Sequence, residues 1–345
     1  MRLVFDVETD GLLQDLTCIH CLVTQDLDTG KVYRYDDSGT QESITTGINV
    51  LATADELWGH NIVQYDFEAI KKVYPFWEFA GKARDTLIMS RLFFTDLLNR
   101  DFRNKPANMP AQLYGRHSLE AWGHRLGIHK SEFGKSLSGD WSTYSPEMLD
   151  YCTQDVAVSV EVCKLFEPKL EQYAACIETE HRCAEIMAWQ ERMGFPFDTD
   201  KALQLDNKLR TELDALSDEM RNTFQLIDGG PFIPARDNKT RGYVKGAEFT
   251  KLKEFNPTSR DHIAWAFETH RGWKAKERTN TGRPKIDHTV LEEVGTKEAK
   301  KFARILDLQK HLGMLSEGTN AWLKLERKGI IHHSCFLNTN TGRNC

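Results

Sequence analysis

No stretch of the 345 residues approaches the roughly 18 consecutive apolar residues of a membrane-spanning helix. The N-terminus also lacks a basic region followed by an apolar one. Neither a membrane span nor a signal peptide is visible, so the expected compartment is the cytoplasm. There is no internal repeat and no low-complexity segment, which excludes a repeat architecture. Metal-like cysteine spacing is almost missing. Of eight cysteines, only Cys18 and Cys21 in "TCIHCLV" are close enough, and no second pair matches them. They read as buried reduced thiols rather than a zinc site. An excess of positive charge is lacking too, since the formal net charge is -6. That balance alone would argue against a polyanionic partner, but it is uneven. Between Arg236 and Lys285 thirteen Lys or Arg face six Asp or Glu. Such a stretch can contact phosphates while an acidic portion holds metal.

What is present reads as soluble and globular, with 40% hydrophobic and 28% charged residues. The length suits about two domains. Residues 1 to about 170 have α/β character, with strands at 2–8, 18–25, 31–36 and 56–60 and helices near 64–73, 85–96, 117–126 and 146–166. Short polar turns such as "DLDTGK" make the opening strands an antiparallel meander. From 171 to 224 two long amphipathic helices follow, the first stopped by Gly194 and the second opened by Asp198 or Thr199. "DGGPFIPARDNKTRGYVKG" reads as loop. Helical pattern resumes in "TSRDHIAWAFETH" and from Thr296 onward.

The first strand, "RLVFDVET", ends on Asp6 and Glu8, two apart and therefore on one face. Adjacent carboxylates repel unless solvated or bridged by a divalent cation. "GHNIVQYDFEAI" sets Asp66 at a helix start, where a cap is the simplest reading in isolation. "DYCTQDVAVSVEV" puts Tyr151 and Asp155 one turn apart on a helix. Asp85 in "ARDTLIMSRL" reads as a cap, and His117, His124 and His129 as packing or capping residues.

Taken in order, Asp-x-Glu on strand one, Asn then Asp, and Tyr-x-x-x-Asp on a late helix resemble the DEDDy class of 3′ to 5′ exonucleases. The resemblance implies an RNase H-like α/β domain with a mixed sheet and two divalent cations, Mg²⁺ or Mn²⁺, which activate water and stabilise the leaving oxygen. Hard cations of this kind take oxygen ligands. It also implies that Asp6 bridges both ions, that Glu8 and Asp155 hold the nucleophile-side ion and that Asp66 reaches the other. Tyr151 orients the attacking water. Leu12 matches a wedge against the terminal base, although a core leucine fits equally well, and Thr9 and Asn61 fall beside the substrate.

In the second half, "ERMGFPFDTDKALQL", "FNPTSRDHIAWAF", "VLEEVG", "LDLQKHLGMLSEGTNAWL" and "IIHHSCFLNTNTGR" occur in the order found in family A DNA polymerases, nearest to those of short-tailed bacteriophages. The implied division is an exonuclease domain at 1–172, a mainly α-helical thumb at 173–325 with a shortened insertion at 225–254, and the start of a palm at 326–345. A phage-encoded chain would work in the host bacterial cytoplasm. The substrates are then a single-stranded DNA 3′ end and a primer-template duplex, with Lys274, Arg283, Lys300 and Lys301 as duplex contacts. Nearby relatives bind thioredoxin through a long thumb insertion, and the short stretch here counts against that partner. Palm and fingers are expected on a second polypeptide, which would cover apolar thumb residues such as Leu306, Leu308, Leu312 and Trp322. Polymerisation by this chain alone is not expected. Rival readings are a stand-alone RNase D-like or DNA-repair exonuclease and a non-catalytic DNA-binding subunit.

Overall fold

The alternation of "RLVFDVET" becomes β1 (Arg2–Thr9), a strand with both faces covered. Leu3, Phe5 and Val7 point into one core layer and Val4 into the other. Asp6 and Glu8 continue the row that Val4 begins. The computed structural model describes residues 1–128 and 141–335, so His129 and the segment from Phe336 to Cys345 lie outside the described residues. The chain divides into two compact units, Met1–Met193 with the segment from His333, and Gly194–His332.

In the first unit β1 pairs antiparallel with β2 (Ile19–Asp26), which pairs antiparallel with β3 (Val32–Asp36). After α1 (Ile44–Ala52), β4 (Glu56–Gly59) returns parallel to β1. α2 (Asp66–Val73) leads to β5 (Lys82–Asp85), parallel to β4. The order β3-β2-β1-β4-β5 puts β1 at the centre of a mixed sheet. The remaining helices are α3 (Thr86–Phe93), α4 (Leu97–Asn104), α5 (Leu119–Leu126), α6 (Pro146–Phe166) and α7 (Ala174–Met193). Ile44, Ile48 and Leu51 of α1 and Ile70 of α2 cover one face of the sheet. Cys152, Val156 and Phe166 of α6 cover the other with Trp122.

Sequence periodicity had not revealed α1, α4 or β5. "ITTGINVLA" is rich in β-branched residues that disfavour helix, and its helix rests on packing. A Cβ at Gly47 would stand 2.5 Å from Leu22 Cδ2, so glycine lets α1 approach the sheet. "KARD" lacks alternation and is a strand only because β4 pairs with it.

His117 shows why its neighbourhood reads as packing. Its Nδ1 lies 2.7 Å from Ser90 Oγ, which accepts from Trp122 Nε1 at 2.9 Å. Burial, then the charges of Arg91 and Arg125, lower the His117 pKa to about 4. The unfolded chain protonates this ring near its ordinary 6.5, so the stability it contributes is present above that pH and lost as pH falls through about 4. His117→Gln is expected to flatten the acid side of the urea-midpoint profile between these values. Profiles of equal steepness would contradict the assignment.

The second unit opens with β6 (Phe195–Pro196) and α8 (Thr199–Phe224), whose cap Asp198 accepts from Lys201 N at 3.0 Å. The segment expected as loop is in part a hairpin. β7 (Leu226–Phe232) pairs antiparallel with β8 (Phe249–Glu254), with an irregularity between Asp228 and Pro231 where two glycines and a proline hide the alternation. α9 (Arg260–Arg271), α10 (His288–Val294) and α11 (Lys297–Leu312) follow, then α12 (Trp322–Leu325), β9 (Glu326–Arg327) and β10 (Ile330–Ile331). Phe224, Phe255, Phe267 and Phe302 form the centre of this helical core. Leu308 and Leu312 are fully buried against Leu209 and Leu315, so they form no uncovered surface. Trp322 is 45% exposed. β10 pairs antiparallel with both β9 and β6.

Candidate active site

The site lies at the C-terminal end of β1 and begins with the mismatch between long and short strands. β4 pairs with β1 only as far as Val4 and Trp58 and ends at Gly59. The chain then turns through Asn61, whose φ of 70° lies in the left-handed region. α2 therefore starts beside the overhanging end of β1, where the backbone N–H groups of Asp66 and Val7 favour the charged form of the Asp66 carboxyl. Asp66 is not the cap that its position in isolation suggested. It occupies the first helical position, Tyr65 is the cap, and its side chain is only 4% exposed.

The opposite wall is α6, packed on β1 and β2. Cys152 Sγ donates to the Asp6 carbonyl at 3.3 Å, which sets the helix against the strand end. Asp155, one turn beyond Tyr151, is 8% exposed. The Tyr151 ring meets Trp141 edge-on at 6.1 Å, and the Trp141 carbonyl lies 2.8 Å from His20 Nε2. Ligand atoms of Asp6, Glu8 and Cys152 lie within 4.8 Å of one another. Asp66 and Asp155 fall outside that tight group but close enough to act on Asp6 by charge.

Electrostatics describe the same cluster. Burial, then the charges of Glu8, Asp66 and Asp155, hold the Asp6 carboxyl well above the usual carboxylate range. Burial, then Asp85, pushes Asp66 up to about 7. Four carboxylates this close, Asp66 and Asp155 buried and Asp6 and Glu8 partly so, are costly unless protonated or neutralised by a cation, and their oxygens suit a hard divalent ion. Cys152 is a different kind of neighbour. Burial raises its thiol well above its ordinary value, so it serves as a neutral hydrogen-bond donor beside the carboxylates.

Beside the cluster an open cleft of about 370 Å³ is lined by Glu8, Thr9, Gly11, Leu12, Tyr65 and Trp141. Thr9 Oγ1, the Tyr65 hydroxyl and the Gly11 carbonyl form a closed set of contacts at 2.5–2.9 Å. Leu12, 76% exposed at the rim, is not a core leucine. Asp85 is the cap that sequence indicated and does more besides. Its carboxylate accepts from Leu87 N and Ile88 N of α3 and from Asn61 N and Val63 N of the loop before Asp66. Its own N–H donates to His181 Nε2 at 2.8 Å.

The proposed duplex contacts all belong to the second unit. Lys274 and Lys300 are exposed, Arg283 is 3.1 Å from Asp261, and Lys301 is ion-paired with Glu219. Sequence reading missed Cys152, Tyr65, Trp141 and His181 as neighbours of the site. For the first two a signal existed, since each directly adjoins a residue already singled out, Tyr151 and Asp66.

No protein-family model matches the chain. It is similar to two DNA-directed DNA polymerases, that of Escherichia phage T7 at 29% identity and that of Enterobacteria phage T3 at 28%, each over 96% of this chain. The resemblance to phage family A polymerases therefore runs along nearly the whole sequence. The chain spans 59% of the length of these relatives. Each match covers 419 aligned positions, whereas 96% of 345 residues is about 330, so the relatives hold on the order of ninety positions without a counterpart here. Among the described residues no helix is long and apolar enough to cross a membrane.

Proposed function

We propose that the first unit is a metal-dependent 3′ to 5′ exonuclease acting on single-stranded DNA ends, and that the second is a duplex-gripping thumb of a phage family A polymerase. The observation that carries this reading is the crowding of Asp6, Glu8, Asp66 and Asp155 at the end of the central strand, with Tyr151 on the same helix as Asp155. The sheet order, antiparallel on one side of β1 and parallel on the other, suits an RNase H-like domain. Similarity to DNA polymerases supports DNA as the substrate.

Asp6, Glu8, Asp66 and Asp155 are the residues that would hold two divalent cations, Mg²⁺ or Mn²⁺. When bound, these supply an activated water and stabilisation of the departing oxygen. Asp6 and Glu8 project from a rigid strand, and Cys152 ties α6 to the end of that strand, so the carboxylates are arranged before substrate arrives. The terminal nucleotide is assigned to the cleft at Thr9, Tyr65 and Leu12, where the exposed leucine can pack on a base. A second cleft lined by Asn61, Arg91, Arg116 and His117 offers cations to the phosphates of the strand leading away. The exposed Trp322 and Met314 are candidate contacts for the palm of such a polymerase.

Tyr151 is given one task, to orient the attacking water through its hydroxyl. Tyr151→Phe keeps the ring against Trp141 and every carboxylate, so a loss on the order of tenfold to a thousandfold in turnover is expected, with metal affinity unchanged. Digestion of 5′-labelled single strands across a Mg²⁺ titration measures both. A wild-type rate would remove Tyr151 from the chemistry, and faster cleavage of RNA than DNA would favour an RNA-trimming nuclease.

A further inference from the structure

Of the four carboxylates, Asp6 and Glu8 stand within β1 and Asp155 within α6, whereas Asp66 is the first residue of α2 and follows the turn that begins at Asn61. Its position is therefore set by whatever holds that turn. α7 holds it at three points. His181 Nε2 accepts from Asp85 N at 2.8 Å, and the Asp85 carboxylate accepts from Asn61 N and Val63 N. Glu191 Oε2 accepts from Gln64 Nε2 at 2.7 Å, and Arg192 lies 3.2 Å from Glu68. Gln64 and Glu68 come two residues before and two after Asp66, so adjacent residues of α7 bracket it. The helix is itself seated, because Ala184 is buried in the core layer that contains Ile70 of α2.

Glu191 reaches further than Gln64. Its Oε1 accepts from Cys335 N. The chain enters the second unit at Gly194, three residues after Glu191, and leaves it after His332, three residues before Cys335. Both crossings are thus fastened through one carboxylate to the segment that carries Asp66. The first crossing is fixed on its far side as well, since Gly194 has a φ of 62° and Phe195 pairs at once with Ile331. A Cβ on Gly194 would stand 2.6 Å from the Ile331 carbonyl oxygen, so glycine is required there. A turn tied at these points presents Asp66 in one place before any ion arrives, and an ion that finds its ligand in place loses less on binding.

We propose that Glu191 is a positioning residue for Asp66, acting through Gln64, and that it sets how firmly the cation on the Asp66 side is held. The inference rests on the metal-dependent exonuclease reading. Mn²⁺ binding to the full chain without DNA is followed by the EPR signal of the free ion, with urea midpoints confirming the fold of each variant. Glu191→Ala should weaken Mn²⁺ binding on the order of tenfold, the usual scale for a group that orients a metal ligand without touching the ion. Glu191→Gln should stay close to wild type. Its oxygen still accepts from Cys335 N, and its amide can donate to the reversed amide of Gln64. Gln64→Ala cuts the same link from the other side, so it should match Glu191→Ala and decides the question should that variant not fold. In an Asp66→Ala chain, adding Glu191→Ala should change nothing further, because the residue through which it acts is gone. Equal losses in Glu191→Gln and Glu191→Ala would assign the effect to charge and overturn the proposal. Unchanged Mn²⁺ affinity in the folded alanine variants, or a full further loss in the Asp66→Ala chain, would overturn it too. A wild-type chain that binds no Mn²⁺ and digests no DNA would instead overturn the exonuclease reading itself.

Discussion

Asp6→Ala combined with Glu8→Ala is expected to abolish nucleotide release from DNA 3′ ends, with a loss on the order of a thousandfold or more. Both side chains come from the rigid end of β1, and their oxygens belong to the tightest ligand group among the described residues. Removing them leaves Asp66 and Asp155 on separate helices with no shared partner, so two cations can no longer be held together and stabilisation of the departing oxygen is lost. Folding should survive, and stability should rise, because the burial of the Asp6 carboxyl and then its repulsion by Glu8, Asp66 and Asp155, which hold it above its usual range, are both relieved. Digestion of 5′-labelled single strands in Mg²⁺, paired with urea unfolding of the same preparation, measures the two effects. A stable double variant that digests at the wild-type rate would remove these carboxylates from the mechanism.

The second large effect is on stability. Asp85 is 1% exposed and accepts four backbone N–H bonds, from Asn61 and Val63 at 3.0 Å, Leu87 at 2.9 Å and Ile88 at 3.3 Å. Asp85→Ala strands these donors in a place that water reaches poorly, at a cost of about 3 kcal/mol or more. It also frees the loop that carries Asn61 into α2, so activity should fall further than stability alone explains, because Asp66 is seated by that loop. Asp85→Asn keeps one acceptor oxygen and should be milder on both counts. A urea-derived loss below about 1 kcal/mol for the alanine variant would mean the loop is held by other contacts.

The fold was legible where one face of an element is buried and illegible where pairing alone decides. β1, β2 and α6 announce themselves by alternation or helical spacing, because their apolar rows face a core. β5 has no such row, α1 is written in residues that prefer strands, and β7 is interrupted by Gly229, Gly230 and Pro231. The candidate site followed the same rule. Asp6, Glu8, Asp66, Tyr151 and Asp155 could be singled out by type, order and spacing. The placing of Asp66 beside the end of β1 and the His181 that accepts from Asp85 depend on where a strand stops and how a distant helix returns, which no local pattern encodes. The charged surface was least legible. Composition located a basic stretch, but which of its cations are ion-paired, as Lys276 is with Glu293 and Arg283 with Asp261, only the structure shows.

The central claim is tested most directly by the direction and metal requirement of wild-type digestion. The full chain is incubated with single-stranded DNA labelled at its 5′ end, and in parallel at its 3′ end, with Mg²⁺ or with EDTA. The account predicts a ladder shortening from the 3′ end, immediate release of 3′ label as mononucleotide and silence in EDTA. Degradation that persists in EDTA, or that releases the 5′ label first, would contradict it.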